Sequence, residues 1–251
     1  MADLHGPLII VRVSLSLLLC VALSACGGLA GGANGADGAS PARDRADAGW
    51  VDLFDGATLD GWHGYARADA PAAWSVQDGL LTFTPGTDDG GDLVAPGTYG
   101  DFELEVEWKV AACGNSGLFY RGEESADLAP IYRTSLEAQI LDDTCHPDAR
   151  FPSHRAGGLY DLYTPTAQVS RPGDWNTLRI VADGARIEHV LNGTRIVGAE
   201  QGSADWNARM AVSKFRDAEA FPGYGTRRAG IVGLQDHGDT LQVRTVRIRT
   251  L

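Results

Sequence analysis

Between residues 102 and 110 apolar and polar side chains alternate without a fault. Phe102, Leu104, Val106, Trp108 and Val110 fall on one side, and Glu103, Glu105, Glu107 and Lys109 on the other. A period of two marks a half-buried strand with its charged face turned to water. Shorter runs of the same kind recur along the chain. Residues 51–54 read as a strand turned by Asp55-Gly56, and residues 74–76 and 80–83 as a hairpin around Gln77-Asp78-Gly79. Residues 117–121 follow a tight Gly-rich loop. Residues 175–197 read as a three-strand meander broken at Asp183-Gly184 and Asn192-Gly193, dipeptides suited to the positive φ of two-residue hairpin turns. Within it His189 shares a face with Ile187 and Leu191, the setting of a core histidine. Residues 158–163, 231–234 and 241–248 are further strands. The last shifts its apolar phase at Arg244-Thr245, as a bulge does. Residues 203–214 alone suggest a helix, capped by Ser203 or Asp205. About a dozen short strands with turns between them indicate an all-β chain folded as an antiparallel β-sandwich, with no repeat and no second domain.

The stretch with the most chemistry is 135–146, SLEAQILDDTCH, followed by Pro147 and Asp148. It opens as a strand in which Ala138 and Ile140 take one face and Glu137, Gln139 and Leu141 the other. It then runs into Asp142, Asp143 and His146 between two polar loops, residues 123–133 and 142–156. A bland reading is a polar strand face ending in an acidic loop. A chemical reading is a site, because clustered titratable groups mark sites probabilistically. Sandwich-fold glucanases typically set paired carboxylates at alternate positions of one strand. Here Leu141 stands where the third acid would be, so a two-carboxylate glycosidase would have to recruit Asp142, Asp143 or a distant residue. His63, His146, His154 and His237 lie in loops or at strand ends, each more often structural than catalytic. No spacing among the histidines and acids is diagnostic of a metal.

Composition sharpens this picture in three ways. The 251 residues carry a net charge of −12, which argues against a nucleic-acid partner. Residues 1–25 read as a lipoprotein signal peptide, with an apolar stretch at 13–23 too short to span a bilayer, and Leu23-Ser24-Ala25-Cys26 resembles a bacterial lipobox. Lipidation of Cys26 would tether the chain to the bacterial cell envelope, with Gly27 compatible with the outer membrane; Cys26→Ser and membrane fractionation would check it. Residues 26–49 form a Gly/Ala/Asp-rich linker, leaving 50–251 as the domain. In that oxidising compartment Cys113 and Cys145 are an even pair, and a disulfide is expected. The alternatives are two buried thiols or a metal pair, the latter weakened by the lack of CxxC spacing.

Several motifs in fixed order resemble one family. They are Leu53-Phe-Asp-Gly56, Leu59-Asp-Gly-Trp62, Asp101-Phe-Glu-Leu104, Gly114-Asn-Ser-Gly117 running into Phe119-Tyr-Arg121, and Glu137-Ala-Gln-Ile-Leu-Asp-Asp143 with His146-Pro-Asp148. Trp175-Asn176, Leu191-Asn-Gly193, Ser213-Lys-Phe215 and Gly233-Leu-Gln-Asp-His-Gly238 complete the set. The chain is similar in these to the 3-keto-disaccharide hydrolase domain family. The resemblance implies a concanavalin A-like jelly roll and cleavage of glycosides whose glucosyl ring is oxidised at C3. It implies Glu137, His146 and Lys214 as catalytic groups. Arg121, Gln139, Asp142, Tyr160, Gln235 and His237 would contact substrate, Arg121 with Lys214 also steadying enolate charge. The expected partners are an oligosaccharide or glycoside and, through Cys26, a lipid bilayer. The resemblance makes no cofactor certain, and a divalent metal could replace the cationic role. A non-catalytic lectin-like module and an ordinary glycosidase on unoxidised sugars are the alternatives.

Overall fold

The computed structural model describes residues 49–251. The signal, Cys26 and the linker before residue 49 lie outside the described residues. In chain order the strands are β1 (Val51–Asp52), β2 (His63–Gly64), β3 (Trp74–Gln77), β4 (Leu80–Phe83), β5 (Leu93–Val94), β6 (Phe102–Val110) and β7 (Asn115–Gly122). They continue as β8 (Leu136–Leu141), β9 (Asn176–Asp183), β10 (Arg186–Leu191), β11 (Thr194–Glu200), β12 (Ile231–Leu234) and β13 (Leu241–Thr250). One helix, α1 (Ala204–Val212), stands between β11 and β12.

The alternating residues of β6 set the architecture. Phe102 through Val110 bury every second side chain in a core between two antiparallel sheets. The larger sheet runs β11-β10-β9-β6-β13-β4-β3, with β1 added to β13; the smaller runs β2-β5-β12-β7-β8. Leu104, Val106, Trp108, Leu178, Ile180 and Val243 from the first meet Leu93, Leu118, Tyr120, Leu136, Ala138 and Leu234 from the second. Burial of this apolar area is the main stabilising term. The outward glutamates of β6 do not simply face water. Glu103 bonds Arg249 at 2.8 Å, Glu105 bonds Arg247 at 2.8 Å and Glu107 bonds Arg244 at 2.9 Å, a cross-strand ladder of opposite charges. The bulge in β13 falls where the apolar phase shifts, between Val243 and Thr245.

Two local features position the site. Ser203 caps α1 by accepting from the Trp206 amide at 3.1 Å, and Ser213 closes its C-terminus and then accepts from the Phe215 amide at 3.1 Å. Lys214 is thereby fixed just after the helix. Residues 158–163 are not the strand their apolar content suggests. Asp161 takes φ of 59°, and Leu162 and Tyr163 both bond back to the Leu159 carbonyl, so the segment folds on itself. It still covers the free edge of β8: Gln139 donates to Gly158, Gly157 to Gln139 and Tyr160 to Glu137. His189 is a core residue, as its face predicts. Its Nδ1 donates to the Gly157 carbonyl at 2.8 Å, its Nε2 accepts from the Tyr120 hydroxyl at 2.8 Å, and burial lowers its pKa to about 4.

Candidate active site

The site is one face of the smaller sheet. Leu93 pairs with Leu234, Leu234 with Leu118 and Leu118 with Ala138, and all four point into the core. Their chain neighbours therefore point the other way. One step along, Asp92, Gln235, Gly117 and Gln139 stand in a row across four strands, held by the Gln235 amide on the Gly117 carbonyl (2.9 Å) and the Gly117–Gln139 pair. Asn115 and Glu137 extend this face along β7 and β8, and His237 lies beyond Gln235. The row floors a cavity of about 240 Å³, whose walls come from Pro130, Tyr132, Asp148, Tyr160, Lys214 and Asp236. Gly117 occupies the middle of the floor. A Cβ there would stand 2.6 Å from Glu137 Oε1, so only glycine leaves the carboxylate its place.

Side-chain amides organise one half of the cavity. Gln139 Nε2 donates to Asn115 Oδ1 at 2.8 Å, and Asn115 Nδ2 donates to His237 Nε2 at 3.3 Å. The carbonyl oxygens of Gln139 and Gln235 are buried with no donor among the described residues. A buried acceptor without a partner costs about 1–3 kcal/mol, so two such oxygens in a sugar-sized cavity are suited to hydroxyl donors.

Charge organises the other half. Glu137 is buried beside Phe119, its cross-strand partner, and no hydrogen bond to its carboxylate forms among the described residues. Burial pushes its pKa up to about 8, against the pull of Lys214 and with added push from Asp92 and Asp148. Burial likewise holds Lys214 below the usual lysine range, opposed by Glu137, Asp161 and Asp148. Its ammonium lies 4.2 Å from the centre of the Tyr160 ring, while His154 stacks on Tyr160 with ring centres 4.2 Å apart. The Lys214 amide donates to Asp161 Oδ2 at 2.7 Å, and Asp161 Oδ1 meets His154 Nε2 at 3.3 Å. Asp92 is raised to about 6, mainly by burial, despite accepting from the backbone amides of Asp236 and Ile131.

Glu137, Gln139, Tyr160, Lys214, Gln235 and His237 thus meet in one cavity. Three other candidates do not line it. His146 stands behind His237, ring centres 6.3 Å apart and edge-on, and its Nδ1 accepts from the Asp148 amide at 3.1 Å to cap a short turn. Asp142 holds a loop: it accepts from the Cys113 amide at 2.9 Å and from Thr144. Burial raises its pKa, but these bonds together keep it below the usual range. Cys113 and Cys145 are disulfide-bonded beside it, Cα atoms 5.0 Å apart. Arg121 would share the cavity face with Gly117 and Phe119 by strict alternation. The register slips opposite Ile231, and Arg121 itself takes φ of 53°. Its guanidinium turns away to Gly184, Gln201 and Asp101 at 2.9, 3.0 and 3.2 Å, a buried structural tie.

The sequence reading misses Asp92, Tyr132, Asp148 and Asp236 as cavity residues, and it gives Asn115 no role. Asn115, Asp148 and Asp236 lie inside recognisable motifs. Asp92 follows Gly90-Gly91 before a strand of only two residues and carries no pattern of its own. Among the described residues no group of three or more His, Cys, Asp or Glu side chains has the arrangement of a metal site.

Residues 49–249 match the model of the 3-keto-α-glucoside-1,2-lyase-like domain. A curated relative, the 3-keto-disaccharide hydrolase of Bacteroides thetaiotaomicron, is 33% identical over 228 residues, 81% of this chain and 79% of its own. Among solved structures, a glycosyl hydrolase candidate from Parabacteroides distasonis superposes with a TM-score of 0.74 at 31% identity, covering 83% of this chain and 96% of that one. A Bacillus subtilis protein of galectin-like fold, 14% identical with a TM-score of 0.52 over 80% of this chain and 94% of its own, shares the fold alone.

Proposed function

This chain belongs to the family of 3-keto-α-glucoside-1,2-lyase-like domains, and from that membership and its cavity we propose that it cleaves the glycosidic bond of 3-keto-glucosides by taking the proton at C2. The observation that carries this reading is Glu137, a carboxylate desolvated to a pKa of about 8 in the same cavity as the Lys214 ammonium. A ketone at C3 acidifies the C2 proton. Once ionised, a carboxylate with a raised pKa is a stronger base than an ordinary one. Electrons from the broken C2–H bond pass to the C3 oxygen, where Lys214 steadies the enolate. Collapse of the enolate breaks the C1–O1 bond, and water added to the resulting double bond completes net hydrolysis. Gln139 and Gln235 accept from sugar hydroxyls, and Tyr160 holds Lys214 against its ring. The scheme does not need a second acid at Leu141.

Purified protein offered 3-keto-trehalose and 3-keto-sucrose beside their unoxidised parents tests the substrate. Turnover of the keto forms alone is expected. Equal turnover of the unoxidised sugars would defeat the assignment, and sugar binding without cleavage of either would favour a lectin-like module.

A further inference from the structure

A second carboxylate lines the cavity with Glu137. Asp92 enters at the head of β5 and Glu137 from β8, with β12 and β7 between them. Three inter-strand steps of about 4.8 Å set their backbones about 14 Å apart across the sheet, with Glu137 two residues along β8 from the row of Asp92, and both side chains line the same cavity. The two carboxyls thus reach one sugar-sized cavity from different strands.

Asp92 is placed as a working group is placed. Its Oδ1 accepts from the Asp236 amide at 3.0 Å, and the Ile131 amide also bonds to the carboxyl, so backbone donors from two loops fix it. The neighbouring Asp236 is committed to the loop itself: Oδ2 accepts from the Gly91 amide at 2.8 Å and Oδ1 from the Gly238 amide at 3.0 Å. No arginine or lysine forms an ion pair with Asp92 among the described residues. Burial raises its pKa to about 6, so it is half protonated near pH 6 and keeps a proton in a minority of molecules at neutrality.

The stereochemistry of the reaction asks for such a pair. In an α-glucoside the C1–O1 bond is axial, and the C2–H bond points to the opposite face of the ring, antiparallel to it. Base and leaving-group acid must then stand on opposite sides of the sugar. Resting on the proposed cleavage of 3-keto-glucosides, we infer that Asp92 is the general acid that protonates the departing O1 while Glu137 takes the proton from C2. As C2–H breaks, its proton goes to Glu137 and its electrons to the C3 oxygen. As the enolate collapses, C1=C2 forms, C1–O1 breaks and the proton of Asp92 goes to O1. In the hydration step ionised Asp92 takes a proton from the water that adds at C1, and Glu137, its acid proton exchanged with solvent while the unsaturated sugar is bound, delivers a proton to C2. Both carboxyls regain their starting states.

The test uses a series of 3-keto-α-glucosides whose leaving groups range from nitrophenol, which departs as an anion unaided, to a sugar alcohol, which does not. For Asp92→Asn, turnover with the sugar leaving group falls about 10²–10⁴-fold, turnover with nitrophenol stays within a few-fold of the parent, and log kcat/KM against leaving-group pKa steepens. Glu137→Gln loses both substrates without a change of slope. A reduced folded fraction lowers every substrate alike and leaves the slope unaltered, so the slope is read again in Asp92→Ser. An unchanged slope in both Asp92 variants overturns the assignment even if overall activity falls. A parent protein that cleaves none of the series refutes instead the reading on which the assignment rests.

Discussion

Glu137 carries an energetic cost that is open to measurement. Its carboxyl binds a proton with a pKa of about 8 in the folded protein, against 4.5 for an ordinary glutamate. Below about pH 4.5 both folded and unfolded chains hold that proton. As pH rises from there to about 8 the folded state keeps a proton that the unfolded state has lost, so this residue contributes less and less to stability. Glu137→Gln removes the titration. The variant is expected to melt close to the parent near pH 4 and progressively above it toward pH 8, by scanning calorimetry at matched ionic strength. Catalysis follows the opposite sense. In the proposed reaction the base works ionised, so with a nitrophenol leaving group, which needs no acid, kcat/KM rises with pH to a plateau above about 8, whereas with a sugar leaving group, which needs Asp92 protonated, it peaks between about 6 and 8; Glu137→Gln loses the rising limb together with about 10²–10⁴-fold of turnover. A parent melting profile indifferent to the substitution across this range would contradict the burial argument.

At the scale of elements, the site depends on what β7 omits. Gly117 sits between Gln235 and Gln139, and a methyl group there would meet Glu137 Oε1 at 2.6 Å. Its φ is not in the left-handed region, so Gly117→Ala is expected to fold while displacing the carboxylate. A misplacement on the order of 1 Å costs about 10²-fold in turnover, with KM and the circular dichroism spectrum little changed. Unaltered turnover would show that the floor yields freely. The strands themselves were legible because β6, β9, β10 and β13 alternate across one buried face, and the β13 bulge was legible as a shift of phase. The face of Glu137 and Gln139 followed from the same rule. That rule misplaced Arg121, because a bulge with positive φ breaks the alternation it assumes. It also made a strand of residues 158–163, where Asp161 reverses the chain. Lys214 was legible only through its motif. Asp92 was not legible, since a two-residue strand after two glycines has no period, and its place depends on pairing with a segment more than a hundred residues away.

At the scale of the molecule, the two sheets divide the labour. The larger one, laced outside by Arg–Glu pairs, supplies half of the apolar core. The smaller one gives its inner face to that core and its outer face to the cavity. Lys214 after the helix, Tyr160 of the 158–163 turn, and Pro130, Tyr132, Asp148 and Asp236 from loops then wall that outer face. A site built on paired strands is held more rigidly than one built on loops alone, which suits a reaction that must aim a base at one carbon atom. The central claim is that cleavage proceeds through loss of the C2 proton, and cleavage of a 3-keto-α-glucoside in deuterated water tests it most directly. Mass spectrometry and NMR of the released keto sugar at early times, corrected for exchange of the same sugar in buffer, should find deuterium at C2 or an unsaturated keto intermediate, and Glu137→Gln should abolish both. Rapid cleavage with protium retained at C2 and no intermediate would contradict the mechanism.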